Sequence, residues 1–186
     1  MNVNSTKVTV FGRFSYAHVF EPQASNNGGD PKYSISIIID KDDKETIKAI
    51  ETAVQNAING GVGKFGGRIP ANLHKPLRDG DEEKPDDPAY AHAYFLNASC
   101  KTKPGVFRRE TINGQKSYIQ LTEEEFYSGC YGFASLNFFP YNTNGNRGIG
   151  ANLNNILKTR EGDYLGGRST ASADFDGLDA EENIPE

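Results

Sequence analysis

The sequence predicts a mainly β protein, a small antiparallel barrel that carries one amphipathic helix. Three observations predict it: short segments in which apolar and polar residues alternate, a single segment with helical apolar spacing, and glycine-rich turns between them. The chain has 186 residues and 20 glycines, which is enough for one domain with its own core. Its apolar runs are too short to span a membrane and its polar N-terminus lacks a signal-peptide pattern, so we expect no membrane association.

The first predicted elements are two strands followed by the helix. Residues 7–14 and 33–39 alternate with a period of two, as half-buried strands do. Asp42 is the predicted N-cap of the helix, with Glu45 in the capping-box position, and apolar residues then recur at helical spacing. The glycine pair at residues 60–61 ends the helix. We therefore expect the helix to pack one face against a sheet.

Five further strands are predicted, at residues 90–100, 106–112, 115–121, 131–141 and 148–157. The Asn113-Gly114 dipeptide is typical of a two-residue hairpin turn between the second and third of them. A loop at residues 60–89, rich in glycine and proline, separates the helix from these strands, and its length suggests a function. Many short strands with one helix favour a five-stranded OB-fold barrel, although the pattern alone does not separate it from a β-sandwich.

Charge is distributed unevenly along the chain. The sequence has 20 lysines and arginines against 25 aspartates and glutamates, a formal net charge of −5. Residues 171–186 hold six of the acids and no base, so residues 1–170 carry 20 bases and 19 acids. We therefore predict a folded domain at residues 1–170 and a disordered acidic tail at residues 171–186. The acidity that would argue against an anionic partner belongs to the tail.

The tail combines acids with isolated apolar residues. This composition suits a linear motif that docks on a basic, apolar pocket of a partner, and an acidic tail can also compete with nucleic acid for the protein's own basic groove. A solubilising terminus without a partner is the alternative. The predicted partner-binding residues of the tail are Asp174, Phe175, Asp176, Asp179, Glu181, Glu182 and Ile184.

The predicted strand at residues 131–141 carries the clearest functional signal. Its period of two places Ala134, Leu136 and Phe138 on one apolar face, which suits a core. The other face mixes large rings with small polar groups, which suits the floor of a groove where rings stack on bases. The alternative is that these rings pack beneath the long loop. The rings are Tyr131, Phe133, Phe139 and Tyr141.

Cations lie beside aromatic residues in other segments as well. Residues 101–116 hold five bases and one acid around a phenylalanine, and the long loop repeats the pairing. Cations hold phosphates and flat rings hold bases, so this pattern indicates single-stranded nucleic acid, unless the segments are simply solvated basic faces. The other predicted nucleic-acid-binding residues are Lys64, Phe65, Arg68, Lys101, Lys103, Phe107, Arg108, Arg109 and Arg147.

Patterns typical of catalysis or metal binding are weak. We expect no cofactor, no metal and no enzymatic activity, because Cys100 and Cys130 lack a paired spacing and the histidines have no nucleophile nearby in sequence. One alternative is a metal-dependent nuclease or junction resolvase that holds magnesium in the acidic cluster at residues 79–87. Its candidate ligands are Asp79, Asp81 and Glu83. Another is a protein-interaction module without affinity for nucleic acid.

Several ordered blocks of the sequence resemble a family of bacteriophage single-stranded DNA-binding proteins. Together they run through nearly the whole chain, which makes the resemblance more specific than one short motif. The blocks lie at residues 14–20, 31–34, 70–73, 77–81, 94–99, 126–132, 148–155 and 165–168. The end of the chain, Glu182-Asn-Ile-Pro-Glu186, is similar to the acidic-Ile-Pro-Phe tip of bacterial single-stranded DNA-binding proteins, with Glu186 in place of phenylalanine.

The resemblance implies an OB-fold domain at residues 1–170 that binds single-stranded DNA without sequence preference in phage replication and recombination. It also implies that the acidic tail recruits replication proteins such as a polymerase, a helicase or a recombinase. The expected location is the cytoplasm of the infected bacterial host. The preference for DNA over RNA follows from the resemblance alone, because base stacking suits both.

Overall fold

Eight strands and two α-helices form the part of the chain that the computed structural model describes, which is residues 4–25, 28–166 and 177. The strands are β1 Lys7–Gln23, β2 Lys32–Asp40, β3 Arg78–Asp79, β4 Ala93–Cys100, β5 Gly105–Ile112, β6 Gln115–Gln120, β7 Tyr131–Thr143 and β8 Asn146–Arg160. The helices are α1 Lys44–Gly60 and the short α2 Gly80–Glu83, with a 3-10 turn at Pro88–Tyr90. No helix among these residues is long and apolar enough to cross a membrane.

Five of the strands close into a barrel. β4, β2, β1, β7 and β8 are neighbours in that order, and each of these pairings is antiparallel. β8 then pairs in parallel with β4 through Asn152 and Ser99, which joins the two ends of the sheet. A closed, five-stranded barrel of this kind is the OB-fold, so the predicted fold class is confirmed.

β1 contributes to two pairings because it bends along its length. The residues up to Arg13 pair with β7, and those from Arg13 onward pair with β2. The absence of a side chain at Gly12 allows β2 to approach this closely, since an added Cβ would lie 2.6 Å from the carbonyl oxygen of Ile38. Tyr16 follows with a φ of 47°, where the register with β2 shifts. The predicted strand stops at residue 14 because this bulge interrupts the alternating pattern, whereas β1 continues to Gln23.

The alternating residues of the strands fill the barrel as predicted. Ile37 of β2 and Leu136 of β7 are both buried in the main core, together with their inward-facing neighbours on the same strands. α1 packs its apolar stripe, centred on the fully buried Ile50, against β1 and β7. The helix therefore covers the barrel beside β1 and β7, and it leaves the outer surface of β2 and β4 open to other segments.

The N-cap of α1 lies one residue later than predicted. The side chain of Asp43 accepts a hydrogen bond from the backbone amide of Thr46 at 3.1 Å, which makes Asp43 the cap. The amide of Asp42 instead donates to the carboxylate of Asp40 at 2.8 Å, so Asp42 belongs to the turn that precedes the helix. The predicted cap at Asp42 is therefore wrong.

Both predicted hairpins are present in the structure. Asn113 and Gly114 have φ values of 51° and 77°, the positive values that a type I′ turn requires. In the second hairpin β7 and β8 extend further than predicted and turn at Asn144 and Gly145. The β5–β6 hairpin lies outside the barrel, where β5 pairs in parallel with β8.

The long loop after α1 is attached to the barrel by short elements. β3 pairs with β4, which places Arg78 beside Phe95, and an isolated bridge joins His74 to Gly148 of β8. These attachments bring residues 74–84 over the outer surface of the barrel next to β4 and β8. The loop therefore forms a wall beside the outer surface of β4 and β8.

Candidate nucleic-acid interface

Small polar residues form part of the outer surface of β2 and β4, next to the buried pair Ile38 and Phe95. Ser36 lies opposite Asn97 and Ser34 opposite Ser99 in the β2–β4 register, while the residues between them face the core. Small side chains leave room for a ligand above the sheet. In OB-folds this surface, formed by the second and third strands of the barrel, is the one that binds oligonucleotides.

A pocket that we call the Tyr16 pocket lies at one end of this surface. The ammonium of Lys84 is 5.1 Å from the ring centroids of both Tyr16 and Tyr90 and 5.7 Å from that of Phe95. Tyr90 is buried and its hydroxyl is hydrogen-bonded to Ser36 at 3.1 Å, whereas Tyr16 is 56% exposed. Cation–π contacts thus hold a lysine beside an open tyrosine face, where one can bind phosphate and the other can stack on a base.

Arg78 lies beside Lys84 on the same wall. Its guanidinium is 5.2 Å from the centroid of the Phe95 ring, because β3 pairs Arg78 directly with Phe95. The guanidinium also donates two hydrogen bonds to the carboxylate of Glu83, from Nε and Nη2, each at 2.8 Å. These bonds raise the pKa of Arg78 above its ordinary value.

A second pocket, the Tyr141 pocket, continues from the first and shares Arg78, Glu83 and Asn97 with it. Lys75 and Tyr141 line its other sides. Gly148 is required there, because an added Cβ would lie 2.7 Å from the Tyr141 hydroxyl and 2.6 Å from the carbonyl oxygen of His74. The bridge between the loop and β8 therefore sets the width of this pocket.

A third pocket, the lysine pocket, lies further along β4 and β8. Lys32, Lys101 and Lys103 surround it, with Ser99 and Asn152 at its base. The ring of Phe139 is 41% exposed at its edge and covers Gly150, where an added Cβ would meet it at 2.5 Å. The lysine pocket shares no lining residue with the other two pockets, but its Phe139 ring lies against Gly150 of the Tyr141 pocket, so we treat the three pockets as one groove. Its charged lining residues are Lys32, Lys75, Arg78, Lys84, Lys101, Lys103 and Glu83.

A separate apolar depression, the hairpin cleft, lies between the β5–β6 hairpin and the outer faces of β7 and β8. Phe107 and Tyr118 form an edge-to-face pair on the hairpin side, with Arg109 beside them. Phe133, 39% exposed, lines the other side and contacts Phe11 with centroids 5.3 Å apart. The hairpin cleft shares no lining residue with the three pockets of the groove.

The residues predicted to bind nucleic acid are therefore divided between two surfaces. Lys101, Lys103, Phe139 and Tyr141 line the groove, whereas Phe107, Arg109 and Phe133 line the hairpin cleft. The alternation of β7 is as predicted, but the strand is long enough to pass from one surface to the other. Tyr131 lines neither, and the guanidinium carbon of Arg160 lies 4.1 Å from its ring centroid.

The long loop requires one correction. Phe65 is 1% exposed and packs in the main core, so the prediction that its side chain binds nucleic acid is wrong. Its carbonyl oxygen accepts a hydrogen bond from Arg147 at 2.9 Å, and that of Lys64 accepts one from Asn142 at 3.2 Å. The side chains of Lys64 and Arg68 remain exposed. An apolar ring in this loop anchors it to the barrel instead of facing a ligand.

Arg108 is also engaged within the hairpin. Its guanidinium forms an ion pair with Glu110 on the same strand. This pair partly neutralises the basic segment at residues 101–116, and Arg109 on the opposite face is the cation that reaches the hairpin cleft. The role of Arg108 in binding nucleic acid stays a prediction.

The three candidate magnesium ligands of the acidic cluster at residues 79–87 are each paired with a cation of the protein itself. Lys41 donates to Asp79 at 2.8 Å and to Asp81 at 2.7 Å, and Glu83 is bound by Arg78. The hydrogen bonds from Lys41 hold the pKa values of both aspartates below their ordinary value. This arrangement provides no support for the magnesium-dependent nuclease. The predicted tail residues at 171–186 lie outside the described residues, apart from position 177.

Sequence reasoning missed several residues of the groove, among them Lys32, Ser34, Lys75, Arg78, Lys84 and Asn97. They come from β2, the long loop and β4, which are far apart in sequence. A local signal existed only for the loop, whose first half is basic, and for Tyr16, which lies close to Arg13 in the sequence. The groove is assembled by strand pairing, so a local pattern could not reveal it.

An OB-fold barrel whose outer groove combines cations, small polar groups and exposed rings defines a class of nucleic-acid-binding domain. The chain matches, over residues 5–185, the family described as Enterobacter phage Enc34, ssDNA-binding protein, and it belongs to that family. The resemblance seen in the sequence is therefore confirmed.

Individual relatives agree with this assignment. The chain is 32% identical over 177 residues to protein p50 of Acyrthosiphon pisum secondary endosymbiont phage 1, covering 91% of this chain and 92% of that protein. The structure is similar to that of the single-stranded DNA-binding protein from bacteriophage Enc34 in complex with ssDNA, with a TM-score of 0.72 and 25% identity over 87% of this chain and 90% of that one. The fold is also shared with gp2.5, a single-stranded DNA-binding protein of bacteriophage T7, with a TM-score of 0.57 and 16% identity over 97% and 98% of the two chains.

Proposed function

We propose that this protein coats single-stranded DNA without sequence preference during phage DNA replication and recombination in the infected bacterial cell. The strand lies in the groove, where lysines and arginines contact phosphates and exposed rings stack on bases. Tyr16, Phe139 and Tyr141 supply the rings of the groove. The hairpin cleft, with Phe107 and Phe133, extends the path of a longer strand.

The observation that carries this proposal is the charge of the groove. Six cations and one carboxylate line it, whereas residues 1–170 as a whole carry 20 bases and 19 acids. A nearly neutral domain with one groove in which cations strongly outnumber carboxylates is arranged to bind a polyanion there. The small residues on the floor admit unpaired bases beside the phosphates, which favours a single strand over a duplex.

The acidic tail is proposed to recruit replication proteins and to compete with DNA for the groove. Leu165, close to the end of the continuous described segment, packs against the cluster that contains Ile38, Tyr90 and Phe95. Lys84 of the Tyr16 pocket lies above the rings of Tyr90 and Phe95 in that cluster. The segment that precedes the tail in the sequence therefore lies close to the oppositely charged groove.

A salt titration of fluorescent poly-dT binding tests the proposal, with the full chain and a truncation after Thr170 measured in parallel. We expect affinity to fall steeply with salt, and the truncated protein to bind at least as tightly as the full chain at low salt. A duplex of the same length is the control, and it should bind more weakly to the full chain. Equal or tighter binding to the duplex, or no binding of poly-dT at any salt, would contradict the proposed function.

A further inference from the structure

Glu83 is the one carboxylate among the charged residues that line the described groove. The neighbouring acids Asp79 and Asp81 do not line the groove, and both accept hydrogen bonds from Lys41. Glu83 instead lines both the Tyr16 pocket and the Tyr141 pocket, at the point where they join. An acid at the centre of a cationic groove needs an explanation.

The geometry of its contact with Arg78 suggests one. Nε and Nη2 of Arg78 donate to the two carboxylate oxygens of Glu83, each at 2.8 Å, so the pair is bidentate. Arginine binds phosphate oxygens through the same fork of two parallel N–H groups. Glu83 therefore occupies on Arg78 the positions that two phosphate oxygens would take.

The pair is also open to solvent and able to exchange. The side chains of Arg78 and Glu83 are 47% and 39% exposed, and an ion pair this exposed is weak and screened by salt. Arg78 has a second contact that is independent of the carboxylate, since its guanidinium lies 5.2 Å from the centroid of the buried Phe95 ring. Releasing Glu83 would thus leave the guanidinium at the groove and free to bind another anion.

We propose that Glu83 is an internal competitor for the phosphate-binding site on Arg78 and so limits the affinity of the groove for single-stranded DNA. A bound strand must displace the carboxylate from Arg78, and the carboxylate returns when the strand leaves. Glu83 thereby keeps the protein exchangeable on DNA that other replication proteins must reach. This inference rests on the proposed function of the groove.

The substitution Glu83→Gln tests the inference, because glutamine keeps the shape of the side chain but removes the charge that holds Arg78. We expect E83Q to bind poly-dT about two- to fivefold more tightly than wild type at low salt, in line with the small strength of an exposed ion pair. The gain should shrink as salt rises, because salt screens the ion pair that E83Q removes, so the salt slope of E83Q should be steeper than that of wild type. The matched control is Glu82→Gln, which removes the same charge from the same short helix at an exposed position outside the groove lining.

A background without Arg78 separates competition from a general charge effect. In Arg78→Gln protein the carboxylate has no phosphate site to block, so adding E83Q should increase affinity less than it does in wild type. The inference is overturned if E83Q binds no more tightly than wild type, if E82Q has the same effect, or if the gain is equal in the R78Q background. If the wild-type protein itself does not bind poly-dT, the result contradicts the proposed function instead. Far-UV circular dichroism and thermal unfolding of each variant establish that it is folded.

Discussion

The ammonium of Lys41 donates to both carboxylate oxygens of Asp79, at 2.8 and 3.0 Å. The pair joins the turn between β2 and α1 to β3, a two-residue strand that also pairs with β4. Asp79 directly follows Arg78, so this ion pair also fixes the position of a groove cation. An acidic segment that suggested a metal site is thus a structural support for one wall of the groove.

The contact between Lys41 and the two aspartates predicts a loss of stability in acid. Since the pKa values of Asp79 and Asp81 are lowered from 3.8 in the folded protein, their contribution is complete above about pH 4 and is lost as pH falls through the folded pKa values. We expect Lys41→Met to lower the unfolding temperature at pH 7 and the difference from wild type to shrink below about pH 4. Thermal unfolding between pH 3 and pH 7 measures this, with Lys48→Met on the exposed face of α1 as the control. A difference that is constant with pH would contradict the prediction.

Lys84 provides a direct test of the Tyr16 pocket. Because its ammonium lies over the rings of Tyr16 and Tyr90 and faces the groove, we expect it to contact a phosphate. Lys84→Gln should weaken poly-dT binding by about fivefold at low salt and reduce the salt slope by about 0.7. Fluorescence titrations at several salt concentrations measure both quantities, and Lys48→Gln is again the matched control. An unchanged salt slope in K84Q would show that the ammonium of Lys84 contacts no phosphate.

Most of the fold could be predicted from the sequence because its signals are local. The alternation in β2 and β7, the Asn113-Gly114 turn and the apolar stripe of α1 each depend on a few neighbouring residues. The errors occurred where the alternating and helical patterns do not decide the outcome. The length of β1 follows from its bend between two partners, and the cap of α1 follows from the turn in which Asp40 accepts the amide of Asp42.

The site could be predicted less completely, and for the same reason. Alternation identified the outward rings of β7, but only the curvature of the barrel decides that Phe139 lies in the groove and Phe133 in the hairpin cleft. The wall formed by Lys75, Arg78 and Lys84 depends on the pairing of β3 with β4 and has no periodic signal. Composition alone also could not show that Phe65 is a core residue.

The burial of Phe65 predicts an effect on stability and not on binding. Removing a phenylalanine ring that is 1% exposed leaves a cavity, so Phe65→Ala should lower the free energy of unfolding by about 3–5 kcal/mol. Urea unfolding measures this loss, and Lys64→Ala at the exposed neighbouring position should have little effect. Poly-dT affinity of F65A, measured at a temperature where the variant is folded, should remain close to that of wild type. A large loss of affinity without loss of stability would restore the earlier expectation for Phe65.

Phe139 and Phe133 allow the two surfaces to be distinguished, since they lie on the same outer face of β7 and are 41% and 39% exposed. A stacked base contributes about 1–3 kcal/mol, so Phe139→Ala should weaken binding of a short dT oligonucleotide, of about six residues, by about tenfold. The salt slope should not change because the ring carries no charge. Phe133→Ala should leave the short oligonucleotide unaffected and weaken only a longer one, of about 20 residues, that reaches the hairpin cleft. Equal losses for both variants on the short oligonucleotide would show that the strand crosses β7 instead of following the groove.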